Sequence, residues 1–103
     1  MKTLTITRFP LPEGIPMEAL QKGFEEVAPA LAQVPGLIHK AFLVSPDLRH
    51  AGGSYLWESE AHARKFSEHV LREMIRHRFG GECEIEYFHA PLEVKGMVPN
   101  GPC

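Results

Sequence analysis

The chain has 103 residues, enough for one domain with a modest core but not for two. Hydrophobic residues make up 44% of it and charged residues 23%, a balance that fits neither a disordered chain nor a membrane-spanning one. A net charge of -2 gives no basic field to draw phosphate backbones or anionic lipid, so neither nucleic acid nor membrane is expected as a partner.

Thr3 to Phe9 sets Leu4 and Ile6 among threonines, an alternation that predicts a first strand. Pro10, Pro12, Gly14 and Pro16 form a stiff connection, and Pro16 suits the first position of a helix, where its missing amide hydrogen is not needed. Leu20, Phe24, Val27, Ala28 and Leu31 then recur at helical steps as one apolar stripe, with Pro29 expected to bend or break the last turn. Val34-Pro35-Gly36 ends this helix. Leu37 to Val44 is an apolar run interrupted only by His39 and Lys40, and predicts a second strand. Beyond the polar loop at Ser45-Pro46-Asp47, Gly52 to Glu58 predicts a third strand, paired with the second as a long-looped hairpin and carrying Tyr55 and Trp57.

Ser59 is placed to cap a second helix, in which Ala63, Phe66, Val70, Leu71, Met74 and Ile75 make a wide apolar arc over about five turns. Phe66, Val70 and Met74 are expected to anchor it. Gly80-Gly81 stops the helix, and Cys83, Ile85 and Tyr87 alternate with Glu82, Glu84 and Glu86 in a fourth, outer strand. From Pro91 the chain has little to bury, which divides it into a domain over residues 1–90 and a tail over 91–103 that is expected to be mobile. Cys83 and Cys103 make no disulfide framework or metal-ligand spacing, and MKTLTITRF lacks the apolar run of an export signal, so a reducing cytoplasm is the expected setting.

The order β-α-β-β-α-β is the ferredoxin-like α+β arrangement, with both helices on one face of an antiparallel sheet. The other face is also apolar. Leu37, Ala41 and Leu43 fall on one side of the second strand, and Ile38, Phe42 and Val44 on the other. A patch of that kind marks an interface, and an isologous homodimer is the expected cover, with the tail folding back as the alternative.

The stretch PGLIHKAFLVSPDLRHAGGSYLW, Pro35 to Trp57, followed by SEAHARKFSEH, resembles the YdhR-type mono-oxygenase branch of the dimeric α+β-barrel superfamily. The shared features are a Pro-Gly entering the second strand, Lys40, the Ala51-Gly52-Gly53-x-Tyr55-Leu56 run, and an alanine-rich start to the second helix. The resemblance implies two ferredoxin-like sheets packed face to face, and a small-molecule cavity between helices and sheet within each subunit. Haem-degrading members of that superfamily pair a strand-one asparagine with a tryptophan and a histidine on the second helix. Here strand one offers Thr3, Thr5 and Thr7, the helix offers Phe66, and only His77 lies near the histidine position, so haem breakdown of that type is not implied.

Tyr55 and Trp57 share a strand face and are able to stack on an aromatic substrate, with Phe42 and Phe66 as further contacts, or to serve as core. Lys40 stands in an apolar strand, where a buried ammonium needs a partner; it either steadies a substrate oxyanion or pairs with a strand-four glutamate. His69 is the candidate general base, because imidazole titrates near neutrality. His62, His69, Glu73 and His77 share a stripe at helical spacing, but a solvated ion pair accounts for it and no metal is expected. The resemblance implies a mono-oxygenase, and because no Gly-rich dinucleotide loop is present it is expected to work without haem or flavin, on a small aromatic or phenolic molecule whose own electrons reduce dioxygen. The alternatives are a non-catalytic small-molecule-binding homodimer and, more distantly, an RNA-binding module, which would require aromatic and basic residues on strands one and three that this chain lacks.

Overall fold

The computed structural model describes residues 1–97. Val98 to Cys103, the end of the expected tail, lie outside the described residues. Strand β1 (Thr3–Pro10) is followed by helix α1 (Met17–Leu31), the hairpin of β2 (Leu37–Val44) and β3 (His50–Trp57), and helix α2 (Glu60–Phe66). A π-helical turn (Ser67–Leu71) joins α2 to helix α3 (Arg72–Phe79), and β4 (Glu84–His89) completes an antiparallel sheet in the order β2-β3-β1-β4. This is the α+β, ferredoxin-like architecture expected from the order of elements.

Within β1 the threonines, not the aliphatic residues, face the helices. Thr3, Thr5, Thr7 and Phe9 are buried, while Leu4 and Ile6 lie half-buried on the opposite face. The pairings Thr3 with Trp57, Thr5 with Tyr55 and Thr7 with Gly53 set the β3 aromatics on that same inner face. β2 carries an irregularity between Leu37 and His39. It reverses the alternation, so Leu37 packs against the core on the same side as Phe42, and strict period-two spacing had put them on opposite faces.

Ser59 caps α2 as expected, its hydroxyl accepting from the His62 amide at 3.2 Å. The expected single five-turn helix is instead interrupted by the π turn. The buried positions Ala63, Phe66, Leu71 and Ile75 step by three, five and four, and a wider turn is what lets Leu71 keep facing inward after Phe66. The same residue inserted into the spiral turns Val70 outward, 47% exposed, so Val70 is not one of the anchors. Pro29 stands two residues before the end of α1, so the bond its nitrogen cannot make is lost where the helix is already ending. Gly80 closes α3 in the left-handed conformation at φ 72°. Among the described residues, no helix is long and apolar enough to cross a membrane.

Candidate functional site

A cavity of about 300 Å³ lies between α1, the inner face of the sheet and α3. Phe24 and Val27 wall it from α1, Lys40, Phe42 and Tyr55 from the sheet, and Met74 and Phe79 from α3. Phe24 stacks on Phe42, with ring centres 4.6 Å apart and planes 18° from parallel. The wall is therefore apolar and largely aromatic, with Lys40, Arg78, Thr7 and Tyr55 as its polar side chains.

Lys40 is the anomaly in this wall. Its Nζ lies 3.8 Å from the centre of the Tyr55 ring and 4.2 Å from that of Phe42, so its charge rests on two aromatic faces. Of the two readings of Lys40, the pairing with a strand-four glutamate is not made. β2 and β4 form opposite edges of the sheet, and among the described residues no carboxylate lies within ion-pair distance of Lys40. Burial pulls the Lys40 ammonium down to about 7. An ionised Cys83 would oppose this, but burial pushes the Cys83 thiol up as well, so it stays neutral and leaves the effect of burial on Lys40 standing. Burial likewise raises the Tyr55 hydroxyl above the ordinary phenol range, which keeps it protonated.

Gly53 makes room for this arrangement. A Cβ at that position would stand 2.5 Å from Lys40 Nζ and 3.0 Å from the edge of the Tyr55 ring. The amine occupies the space a side chain would have filled. Gly52 serves a different contact, since its Cβ would run into the Thr7 carbonyl of the neighbouring strand.

Lys40, Phe42 and Tyr55 thus come together as the sequence suggested, whereas the other candidates lie elsewhere. Trp57 lines neither cavity: it is fully buried, donates from Nε1 to Thr5 Oγ1 at 3.0 Å, and lies parallel to Tyr55 at 5.8 Å. Phe66 is tilted against both Tyr55 and Trp57 and separates them from a second, shallower groove. That groove, about 520 Å³, is where His69 lies, exposed, with His62, Lys65 and Val70. The structure therefore does not bring His69 to the Lys40 cavity. Among the described residues, no three of His, Cys, Asp or Glu converge as a metal site, the stripe from His62 to His77 included. Sequence reasoning missed Gly53 and Phe24 as parts of the site. The AGGxYL run held the signal for the first, and nothing marks Phe24 apart from its place in the apolar stripe.

Solved structures of the same fold include a heme-degrading protein of Mycobacterium tuberculosis, 21% identical with a TM-score of 0.63 over 93% of this chain and 98% of that one. SnoaB, a cofactor-independent oxygenase of Streptomyces nogalater, is 17% identical with a TM-score of 0.65 over 92% and 98%. The ActVA-Orf6 monooxygenase of Streptomyces coelicolor, solved with nanaomycin D, is 19% identical with a TM-score of 0.64 over 91% of each chain. These likenesses establish the fold; no curated relative matches the sequence significantly. Residues 7–92, which hold the Lys40 strand, the double glycine and both aromatic walls of the sheet, match the family described as "Putative mono-oxygenase ydhR", and the chain belongs to that family.

Proposed function

We propose that the protein is a cofactor-independent mono-oxygenase for a small phenolic or enolisable aromatic compound, working as a homodimer in a reducing cytoplasm. The observation that carries this reading is an amine in the wall of an aromatic cavity with, among the described residues, no carboxylate partner, where burial pulls its ammonium down to about 7. In its neutral form Lys40 takes the phenolic proton, and the ammonium it becomes stabilises the phenolate beside it. Phe24, Phe42 and Tyr55 hold the ring by stacking. The electron-rich phenolate passes one electron to dioxygen, and the resulting superoxide and phenoxyl radical combine at a ring carbon. Loss of water from the hydroperoxide leaves a quinone: one C–H becomes C=O, one oxygen atom is retained, and the other departs as water. The substrate supplies all the electrons, in keeping with a sequence that has no dinucleotide-binding loop. SnoaB, of the same fold, is a cofactor-independent oxygenase. The base expected at His69 is here Lys40, because His69 opens onto the other groove.

The test is oxygen uptake by purified protein over a panel of phenols, quinols and anthrone-like compounds without added cofactor. Lys40→Met is expected to lower turnover by about 10²-fold or more, the usual scale for a proton-transfer residue. Wild-type turnover should rise with pH through about 7 as Lys40 loses its proton. Ligand-induced change in the fluorescence of Trp57, the one tryptophan, with no oxygen uptake from any compound would favour the non-catalytic binding protein, a reading that the few polar groups of the cavity wall also suit.

A further inference from the structure

We infer that Lys40 is a carbonyl-capturing amine, which condenses with a small apolar aldehyde or ketone in the cavity to form an imine. This goes beyond the oxygenase reading and does not rest on it, because condensation consumes no dioxygen. Three features of the site converge on it. Lys40 Nζ stands in the cavity wall against the Tyr55 and Phe42 rings. Among the described residues no carboxylate pairs with it, so its lone pair is not withheld by a salt bridge. The wall around it is made by Phe24, Phe42, Val27 and Met74, which favours an uncharged, apolar carbonyl compound over a sugar or a keto acid.

The chemistry closes on the residues present. The neutral amine adds to the carbonyl carbon, a C–N bond forms, and the C=O π electrons move to oxygen. Both protons of the amine then leave with that oxygen as water while the nitrogen lone pair closes the C=N bond, with no change of oxidation state. Desolvation of a lysine in an apolar pocket is a recognised way of keeping such a nucleophile available near neutral pH. Lys2, Lys22, Lys65 and Lys95 are exposed. For an ordinary lysine titrating near 10.4, roughly one molecule in 10³ carries the free amine at pH 7, and the burial that pulls Lys40 down to about 7 raises that share.

The experiment treats the whole chain, under nitrogen at pH 7, with benzaldehyde or an aliphatic ketone and sodium cyanoborohydride, which reduces the imine to a stable secondary amine. Intact mass and peptide mapping locate the adduct. The expected result is one adduct on Lys40, formed at least ten times faster than on any other lysine, with the N-terminal amine mapped separately as an internal control. In Lys40→Met, checked for folding by its thermal melt, the dominant internal adduct should vanish while the N-terminal one remains. Adducts confined to the N-terminus and the surface lysines, or Lys40 labelling that begins only above pH 9, would overturn the inference. Because labelling proceeds without oxygen, a negative outcome leaves the oxygen-uptake test unaffected, and the reverse holds as well.

Discussion

Removing an ammonium from water costs several kcal/mol even after the protein relaxes around it, so Lys40 has to be compensated or neutralised. The compensation here is two aromatic faces, each worth about 0.5–2 kcal/mol, which does not cover the penalty, and the amine sheds its proton more readily instead. The consequence for stability has a definite sign. With the folded value near 7 and the unfolded one near 10.5, the unfolded chain binds more protons between those limits, and stability rises with pH across that window. Below about pH 7 both states are protonated and the full cost is present. Lys40→Met should therefore melt above wild type at pH 6, with the gap narrowing steadily from pH 7 to pH 10; a gap independent of pH would show that Lys40 titrates normally. That Lys40 is unusual was legible in the sequence, since a charged residue broke an apolar strand. Its surroundings were not. The counter-charge expected from strand four depended on strand order, and the seat at Gly53 depended on register, neither of which a residue pattern reports.

At the scale of elements, the helix that follows β3 shows how a residue count can mislead. A uniform period of 3.6 makes Phe66, Val70 and Met74 one face, and on that basis all three are anchors. The π turn at Ser67–Leu71 separates them: Phe66 stays buried at 5% exposure, and Val70 turns to solvent at 47%. Phe66→Ala should then cost about 3–5 kcal/mol, because it empties the space that packs against the Tyr55 and Trp57 rings. Val70→Ala should cost under about 0.5 kcal/mol, as an exposed position does. Denaturant melts of the two variants decide the matter, and comparable losses would mean a regular helix with the original stripe. The signal for the π turn was present as the five-residue step from Phe66 to Leu71, but Val70 filled the gap with an apolar residue and hid it. β1 and the α1 stripe met no such interruption and were read almost to their ends, while β2 was read over its length but its irregularity between Leu37 and His39 put Leu37 on the face opposite to the one expected.

For the whole molecule, the outer face of the sheet exposes apolar residues that the proposed homodimer would cover. Leu4, Leu56 and Phe88 are paired neighbours on that face, with Ile6 next along β1, while Leu43 stands farther along in the row of Gly52, Arg8 and Glu84. Phe88 and Leu43 are 47% and 40% exposed, while Arg8, Glu84 and Glu86 lie toward one end of the face as a polar border. The apolar residues Leu56, Leu4, Phe88 and Ile6 are contiguous at one end of the face, with Arg8 and Glu84 at the other, and a contiguous apolar cluster on an uncovered sheet face marks an interface. Four strands about 4.8 Å apart, running some eight residues at about 3.3 Å each, present roughly 500 Å² in projection, approaching the about 800 Å² per partner that a stable interface buries. A second copy offering the same face is self-complementary without any further partner. Light scattering should therefore give twice the chain mass of 11.6 kDa at micromolar concentration. Leu56→Glu, which sets a carboxylate in the apolar row of the face and leaves the Lys40 cavity on the opposite side untouched, should shift the mass toward one chain while preserving Lys40 labelling. A wild-type mass of one chain, unchanged with concentration, would remove the dimer and leave the apolar face to another occupant. The variant separates assembly from chemistry: if the monomeric Leu56→Glu protein still takes up oxygen with its substrate, the cavity within a single chain is a complete site.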